Sequence, residues 1–541
     1  MIDYKELEKL RILVAKQEQV IKQQKATIEK QNIQIENMLQ ALLHANKKLF
    51  GRSSEVSDPI AGQMNLFETT QELADELLRE QKKIQVKPYV RKPRQPGVRA
   101  DMLAHLPKEI VEYLIDPEDS CSKCTGELKV IGKRHVRTEV EFIPAKVKVK
   151  QIVQQVAKCT NCGKAGSDFP SDHFQKAAIP KTVLPHSIAT ASLVAQVMYQ
   201  KYMMGIPLNR LETDFYRMGL ILPRSNMANW VIRCSEDWFT PIYDRIHQEL
   251  LKCETLHMDE TGIQCNKEEG KKASSNSYMW VATSGASESI CATYFHYSRS
   301  RSGDIPKMLL KGYHGYLTTD AYVGYDKVEG IRRSLCWSHM RRYLIESIPL
   351  DSSGKELPGS KGAEGREFIN LLFKLEKEMK DFSYEEKKVK RQKASKAILD
   401  AFWTWVGETS AMPTTNEKLT KALGYATNQR RHLETFLEDG RLSLSNNICE
   451  VRIRPFAVAR RAWLFADTPK GARANAILYT LVETARTNEL NVYEYLNYLL
   501  TAMPDIDFHN HPELLDAYLP WSKELPDQCR LIEKKKKCLK R

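Results

Sequence analysis

Apolar residues recur at intervals of seven near the start of the chain, and this pattern predicts one long helix with a coiled-coil seam. No glycine or proline interrupts the segment before Gly51. The companion column carries glutamines in its middle, so the pattern favours self-association through a two-stranded coiled coil. A single helix packed on its own protein is the alternative. The column consists of Leu7, Val14, Ile21, Ile28, Ile35, Leu42 and Leu49.

From residue 254 the pattern changes to short alternating runs that predict β-strands. Three strands, a helix, and then a strand that ends in an acid are the order of a ribonuclease-H-like domain. The first and fourth strands of that fold lie side by side, so Asp259 and Asp320 are expected to converge although they are 320 − 259 = 61 positions apart. The predicted strands are 255–258, 278–283, 290–297, 315–319 and 334–337, with a helix at 305–311.

A segment of different character separates these strands from a third acidic residue. Residues 351–365 are rich in glycine and serine and predict a flexible loop, whereas residues 366–440 have apolar positions at helical spacing and predict a helical insertion. Glu450 follows a Ser/Asn cluster, and its spacing fits an ion pair as well as a metal ligand. The arginines after it, which would bind phosphates in the second case, are Arg452, Arg454, Arg460 and Arg461.

Acids placed in this way suit metal-dependent phosphodiester chemistry. In-line attack requires charge to be neutralised on the entering and leaving oxygens, and two Mg²⁺ ions about 4 Å apart do this. Carboxylates are the hard oxygen ligands that Mg²⁺ prefers. Two aspartates are too few to hold both ions, so a third acid is expected on a helix after the fifth strand.

Two C-x-x-C pairs predict a zinc-binding module ahead of the strands. Cys121, Cys124, Cys159 and Cys162 supply four thiolates for one tetrahedral Zn²⁺. No open coordination position would remain, so this zinc would be structural. The stretch between the pairs alternates valine with polar residues and is expected to be β-rich. Redox-active cysteines are the alternative interpretation.

Residues 184–240 resemble a helix-turn-helix. A first helix is predicted over Leu208–Met218, a turn at Gly219, and a second helix that is capped by Ser225 and runs through Cys234. An ordinary pair of packed helices is the alternative. The residues expected near the start of a recognition helix are Arg224, Asn226 and Asn229.

Composition favours a nucleic-acid partner. Among 541 residues, 82 lysines and arginines exceed 68 acids and give a formal charge of +14, which suits a polyanion, although a merely basic protein would show the same excess. A basic, proline-containing stretch at 80–100 predicts an extended linker that lies along phosphates or is simply solvated. No apolar run could cross a bilayer and no signal-peptide pattern is present, so a cytoplasmic, nucleoid-associated protein without a membrane partner is expected.

The chain is therefore predicted to be a multidomain α/β protein. The predicted segments are a coiled coil (1–50), a basic proline-containing linker (51–107), a zinc-binding module (108–175), a helical DNA-binding region (176–245), the first part of a ribonuclease-H-like core (246–350), a loop and helical insertion (351–440), the second part of the core with the third acid (441–490), and a C-terminal helical segment with a basic tail (491–541).

A series of short motifs runs in order along the chain. It includes LFGRSSE at 49–55, LHMDETGIQ at 256–264, SRSRSGDIP at 298–306, TTDAYVGYD at 318–326, CWSHMRR at 336–342 and LSNNICEVRIRPFAVARRAWLFADT at 444–468. Any one of the motifs is weak, but the ordered set is strong. The set resembles the large transposase of insertion-sequence family 66.

The resemblance implies that Asp259, Asp320 and Glu450 are the catalytic acids and hold two Mg²⁺ ions. It therefore favours the metal-ligand interpretation of Glu450. The family's Cys-x-x-His element falls on Cys336 and His339. The resemblance implies that His339 contacts the scissile phosphate or orients a catalytic group; packing at a strand end is the alternative.

One position departs from the family pattern. The family usually has arginine directly after its glutamate, whereas this chain has Val451 there and Arg452 one position later. A helix turns about 100° per residue, so Arg452 cannot take the place of that side chain. The family's paired asparagines match Asn446 and Asn447, and the resemblance implies that they hold the helix of Glu450 in place.

These observations predict a DDE transposase. Water activated by metal would cleave at the element ends to free a 3′-hydroxyl, which would attack target DNA without a covalent enzyme intermediate. The expected partners are double-stranded DNA (element ends and target), further copies of the chain in a homo-oligomer and, by resemblance alone, small accessory proteins of the same element. The alternatives are a catalytically decayed DNA-binding regulator derived from a transposase, and a ribonuclease-H-like nuclease with another substrate.

Overall fold

The structure is a computed structural model that describes residues 4–50, 108–114, 116, 127–130, 132–140, 145–160, 162, 171, 173–352 and 354–531. The chain divides into two compact units, one comprising residues 1–53 and 151–531 and the other residues 54–150 and 532–541. The predicted basic linker at 51–107, Cys121, Cys124 and the basic tail lie outside the described residues.

The N-terminal helix, α1 (Tyr4–Phe50), exposes its seven-residue apolar column where side chains are described. Ile21, Ile28, Ile35 and Leu42 of that column are between 50% and 63% exposed. The helix contacts the rest of its unit through polar groups. The amide of Gln40 exchanges two hydrogen bonds with the backbone of Leu350, at 3.2 and 2.9 Å, and His44 Nε2 lies 2.8 Å from the carbonyl oxygen of Ile348. The apolar face is therefore available for a partner helix.

A two-stranded antiparallel sheet lies next to the second cysteine pair, formed by β1 (Val156–Lys158) and β2 (Phe174–Lys176). Among the described residues between 128 and 155, none lies in a strand. The alternating valines there are exposed, with Val136 at 71% and Val149 at 89%. The prediction of a β-rich stretch is therefore wrong for these residues, because the alternation does not correspond to a buried face.

The region before the large sheet is helical. It contains α2 (Ala191–Met198), α3 (Leu208–Arg217), α4 (Arg224–Cys234) and α5 (Thr240–Leu250). Gly219 supplies the turn between α3 and α4 with φ of +86°, a backbone conformation that residues other than glycine rarely adopt. The cap of α4 is Pro223 and not Ser225, so the capping prediction is wrong; Ser225 lies inside the first turn.

The strands of the large sheet are β3 (Thr255–Cys265), β4 (Asn276–Ser284), β5 (Thr293–Ser298), β6 (Tyr316–Thr319), β7 (Arg332–Leu335) and β8 (Phe465–Ala466). Their order across the sheet is β5-β4-β3-β6-β7, and the short strand β8 pairs with the far end of β3. β4 and β5 are antiparallel to their neighbours, whereas β6 and β7 run parallel to β3. The strands β3 to β7 overlap their predicted ranges, but β3 continues well past Asp259 because β4 pairs along almost its whole length.

A helical insertion with its own apolar core follows the fifth strand. Helix α6 (Asp304–Leu309) precedes β6, and the helices that follow are α7 (Trp337–Glu346), α8 (Lys361–Glu378), α9 (Tyr384–Lys390), α10 (Lys396–Ala411) and α11 (Glu417–Glu434). Helix α7 directly follows β7 and packs against the core of the insertion, where the indole N–H of Trp337 donates to the carbonyl of Leu433 at 2.9 Å. The first insertion helix, α8, begins at Lys361, inside the segment predicted as loop, because Ser360 caps it.

Helices from the end of the chain return to the large sheet. Helix α12 (Asn447–Trp463) packs on β3 and β4, α13 (Pro469–Thr487) packs on β5, and α14 (Val492–Ala502) packs on α2. The hydroxyl oxygens of Thr480 and Thr484 in α13 accept hydrogen bonds from the backbone N–H groups of Phe295 and Thr293 in β5, at 2.9 and 3.1 Å respectively. Among the described residues, no helix is both long and apolar enough to span a membrane.

Candidate active site

Two aspartates lie at equivalent positions on adjacent parallel strands. The pairing of β3 with β6 places Leu256 beside Leu317, an offset of 317 − 256 = 61 residues. Asp259 and Asp320 are also separated by 320 − 259 = 61 residues, so they continue this register just beyond the last paired residues. The charge of Asp320 raises the pKa of Asp259, which is consistent with this proximity. The sheet thus brings together two acids that are distant in sequence.

Glu450 lies in the first turn of α12, directly over the strand pair that carries the first aspartate. The thiol of Cys449, the preceding residue, is buried and donates to the carbonyl of Val281 on β4 at 3.6 Å. Val281 is the β4 partner of Asp259. The charge of Glu450 contributes to the raised pKa of Asp259, so the two carboxylates interact electrostatically. Among the described residues, the donor atoms within 4.8 Å of Glu450 that form a group of three belong to Cys336 and His339, and not to the two aspartates.

Asn446 is fully buried and joins α12 to two strands. Its side-chain amide donates to the carbonyl of Met258 and accepts from Nδ1 of His257, both at 3.0 Å, while its backbone N–H donates to Sγ of Cys336 at 3.2 Å. Burial lowers the pKa of His257 to about 4, so the ring is neutral at pH 7. These bonds hold the beginning of α12 against the part of β3 that precedes the first aspartate.

The electrostatics of Asp259 are those of an acid that lacks a counter-charge. Burial raises its pKa to about 7, and the charges of Glu260, Asp320 and Glu450 add to the rise. The backbone N–H of Glu260 donates to its carboxylate at 2.8 Å and opposes the rise. A divalent cation relieves repulsion among half-buried carboxylates, so this acid set fits a metal site.

Glu260, the neighbour of the first aspartate, is held by other side chains. Its carboxylate pairs with Arg301 at 2.5 Å and accepts from the hydroxyl of Tyr325 at 2.8 Å. Burial raises the pKa of Glu260, and so does the charge of Asp320, whereas Tyr325 and Arg301 lower it. With its oxygens already engaged, Glu260 is less available to a cation than Asp259.

The other acids near the site are also paired. Asp326 forms an ion pair with the guanidinium of Arg333. Glu483 is buried in α13 and pairs with Arg486 at 2.5 Å. These contacts give both acids a structural role.

The arginines after Glu450 take different positions along α12. Arg452 is half-buried, and burial together with the charge of Arg486 lowers its pKa, whereas the charge of Glu483 opposes the fall. Since both of these charged residues belong to α13, Arg452 faces that helix. Arg460 is half-buried and lies beside Gly262 of β3, with Nη1 3.9 Å from where a Cβ atom would stand. Arg454 and Arg461 are exposed.

Cys336 and His339 lie beside the third acid. Cys336 follows β7 and is the N-cap of α7, and its backbone N–H donates to the carbonyl of Thr319 at 3.1 Å. One donor atom from each of Cys336, His339 and Glu450 can be chosen such that all three lie within 4.8 Å of one another. The family resemblance implies that His339 contacts the scissile phosphate or orients a catalytic group, and His339 lies at the same edge of the sheet as the acids.

The remaining predicted site residues lie elsewhere. Cys159 and Cys162 are half-buried at the end of β1, and the backbone N–H of Cys159 donates to the carbonyl of His173 at 2.9 Å. Cys121 and Cys124 lie outside the described residues. The three residues at the start of α4 are all exposed, with the apolar face of the helix buried beneath them: Arg224, Asn226 and Asn229.

Sequence reasoning did not identify two residues that shape the site. His257 is a polar residue between the apolar Leu256 and Met258, and that irregularity in the motif LHMDE was an available signal. Arg301 lies in the motif SRSRSGDIP at 298–306, but the motif did not indicate its partner, because Glu260 is 301 − 260 = 41 residues away and the two meet only through the sheet.

Family comparisons cover most of the chain. The model described as the Transposase IS66 family matches residues 186–474, more than half of the 541 residues. The zinc-finger binding domain of transposase IS66 matches residues 118–163, and the IS66 C-terminal element matches 480–521. A model described as Transposase C of IS166 homeodomain matches residues 39–111. These matches confirm the resemblance inferred from the ordered motifs.

Individual relatives are similar over about three quarters of their length. The uncharacterized protein y4hP of Sinorhizobium fredii (strain NBRC 101917 / NGR234) is 28% identical over 426 residues, which are 75% of this chain and 74% of the relative. The uncharacterized protein y4qI of the same strain is 27% identical over 447 residues, 79% of this chain and 78% of the relative. Among solved structures, the Drosophila P element transposase strand transfer complex aligns at 14% identity over 60% of this chain and 86% of that chain, with a TM-score of 0.22, too low to support an argument.

Proposed function

We propose that this chain, which belongs to the transposase IS66 family, is a DDE transposase that cleaves DNA at the ends of its element and joins them to target DNA. The observation that carries the proposal is the alignment of two acids across adjacent parallel strands, with a third acid on the helix that packs on one of them. The register of β3 and β6 brings Asp259 beside Asp320, and α12 adds Glu450 over the same strands. The interacting charges of the three carboxylates support a common cation site.

The strand order supports a ribonuclease-H-like core in this proposal. Three antiparallel strands followed by two parallel strands, in the order β5-β4-β3-β6-β7, place the first and fourth strands in chain order side by side. The third acid arrives on a helix after a long helical insertion, as the motifs predict. The insertion has a separate apolar core and leaves the edge with the acids intact.

Membership of the family implies the use of divalent metal ions, and the acid set is chemically suited to Mg²⁺. Asp259, Asp320 and Glu450 would hold two such ions, which when bound neutralise charge on the entering and leaving oxygens of the phosphodiester. The side chain of Asn446 fixes the third acid relative to the first, and the Glu260–Arg301 pair keeps the adjacent carboxylate engaged. The His339 ring, which lies near Glu450, would contact the scissile phosphate.

DNA binding is distributed over several segments in this proposal. The exposed residues of α4 (Arg224, Asn226 and Asn229) would contact the element end, together with the basic linker and the zinc module, in which Cys121, Cys124, Cys159 and Cys162 hold one structural Zn²⁺. Arg454 and Arg461 would bind phosphates beside the acids. The exposed apolar column of α1 would pair two copies of the chain.

The proposal is tested with Asp259→Asn, Asp320→Asn and Glu450→Gln in the full chain. Each variant is expected to bind element-end DNA like the wild type and to lose Mg²⁺-dependent nicking and strand transfer by several orders of magnitude. Asp516→Asn is a matched control, because Asp516 is a surface acid paired with Arg245 at 2.7 Å and is expected to leave activity unchanged.

The outcome separates three functions. Strand transfer that persists in the three variants would refute the assignment of the acids. A wild-type chain that binds element ends but never nicks them would be a DNA-binding regulator. Mg²⁺-dependent cutting without preference for element ends over random DNA would indicate a nuclease with another substrate.

A further inference from the structure

A cysteine, a histidine and a glutamate converge at the edge of the sheet, and two of them are not oxygen donors. One donor atom each of Cys336, His339 and Glu450 lies within 4.8 Å of the others. Cys336 caps α7 and His339 lies three residues further on, so both are on one face of its first turn. Glu450 comes from the first turn of α12. Residues from two helices thus meet at one point.

The sulfur of Cys336 lies at the point where two helices begin. Cys336 is the N-cap residue of α7, and the backbone N–H of Asn446, the N-cap residue of α12, donates to Sγ at 3.2 Å. Sγ is therefore held next to the first turn of α12, which carries Glu450.

The three donor residues differ in their exposure to solvent, and the two more exposed ones would let an ion enter the site. Cys336 is fully buried, whereas His339 and Glu450 are half-buried at the surface of the site. By contrast, the neighbouring thiol of Cys449 is directed at the carbonyl of Val281 and belongs to the packing of α12. The two buried cysteines of this region therefore have different surroundings.

We propose that Cys336, His339 and Glu450 form a binding site for a thiophilic divalent cation, Zn²⁺, with one coordination position open. Thiolate and imidazole donors select Zn²⁺ over Mg²⁺, which prefers oxygen donors alone. Three protein ligands and an open position differ from the closed four-cysteine set of the zinc module. The inference deepens the proposed function and rests on it in one respect, because Glu450 would belong both to this site and to the three catalytic acids.

The test is a Co²⁺ titration of the full-length chain that carries one equivalent of Zn²⁺, which the four-cysteine module, with more thiolates, takes up first. Co²⁺ bound by one thiolate produces sulfur-to-metal charge-transfer absorption in the near ultraviolet. The band is expected in the wild type and in Cys449→Ser, the matched control, and is expected to be lost in Cys336→Ser. His339→Gln and Glu450→Gln keep the sulfur and are expected to weaken Co²⁺ binding without abolishing the band.

Zinc content gives a second readout that does not depend on activity. After equilibration with excess Zn²⁺ and gel filtration, the wild type is expected to hold one more zinc per chain than Cys336→Ser. Near-ultraviolet circular dichroism of both proteins reports whether the substitution leaves the fold intact, and His339→Gln provides a second variant if Cys336→Ser unfolds. Equal zinc content in folded wild-type, Cys336→Ser and His339→Gln proteins would overturn the inference.

The two proposals fail in distinguishable ways. Asp259→Asn is expected to abolish nicking and leave the Co²⁺ band unchanged. If the wild type showed no band while nicking still required Asp259, the thiophilic site alone would be refuted. A band that disappears in Cys121→Ser and persists in Cys336→Ser would belong to the zinc module and would also refute it.

Discussion

Replacing Asp259 with asparagine should stabilise the metal-free protein while abolishing its chemistry. Burial and neighbouring carboxylates raise the pKa of Asp259 from 3.8 to about 7. A difference of that size corresponds to about 4 kcal/mol of unfavourable free energy for the ionised folded state. Asparagine has nearly the same shape and no charge, so Asp259→Asn should recover roughly 2–4 kcal/mol at pH 8.

The pH dependence has a defined sign. Below about pH 4 the carboxyl is protonated in both the folded and the unfolded state, and the two proteins should be equally stable. Between pH 4 and 7 the unfolded state loses its proton first, so the wild type loses stability relative to Asp259→Asn as pH rises. Above pH 7 both states are ionised and the difference should stay constant.

Differential scanning fluorimetry measures the effect, on protein that carries one equivalent of Zn²⁺ per chain for its zinc module, in a buffer without free divalent ions. The expected rise in Tm for Asp259→Asn at pH 8 is about 3–8 °C. Addition of Mg²⁺ should raise the Tm of the wild type, because the ion binds only the folded state, and should have little effect on the variant.

Asp439→Asn is the matched control of opposite sign. The side chain and backbone of Arg441 donate to Asp439 and lower its pKa, so its charge is stabilising. This substitution should lower the Tm at pH 8. If Asp259→Asn also lowered the Tm of the metal-free protein, the carboxylate would have a stabilising partner, and the interpretation of the three acids as a cation site without a counter-charge would be wrong.

Further substitutions test the parts around the acids. Asn446→Ala leaves buried polar partners unsatisfied and should cost about 2–5 kcal/mol in urea unfolding, with nicking reduced more than end binding in a gel-shift assay. Arg391 pairs with Glu376 and donates to three backbone carbonyls, so Arg391→Met should cost about 3–5 kcal/mol and make the insertion the first segment cut in limited proteolysis followed by mass spectrometry. Arg224→Ala should weaken binding to element ends by about 1–3 kcal/mol in fluorescence anisotropy, and an equal loss on random DNA would mean that Arg224 contacts phosphates only. Cys159→Ser should lower zinc content by one ion per chain in plasma mass spectrometry, and unchanged zinc would refute the four-cysteine site.

The strands and the acids could be predicted from the sequence because their signals are local. Alternating apolar residues specify a strand whose face is buried, and this located β4 to β7 within about three residues and the start of β3, although β3 extends well beyond its predicted end. The ordered motifs indicated the family and the three acids. The same local logic failed between residues 128 and 155, where alternating valines are exposed, and at the start of α4, where proline takes the cap position.

The sequence by itself determined which elements form and which acids are proposed to carry the chemistry, since strand and helix periodicities and motif residues depend on near neighbours. Only the tertiary structure decided how these groups face one another. The link from Asn446 to His257 and Cys336, the pairing of Glu260 with Arg301, and the meeting of Cys336, His339 and Glu450 all join residues from separate elements. Such contacts are set by strand register and by the seating of α12 on the sheet, and neither is encoded in the spacing of residues along the chain.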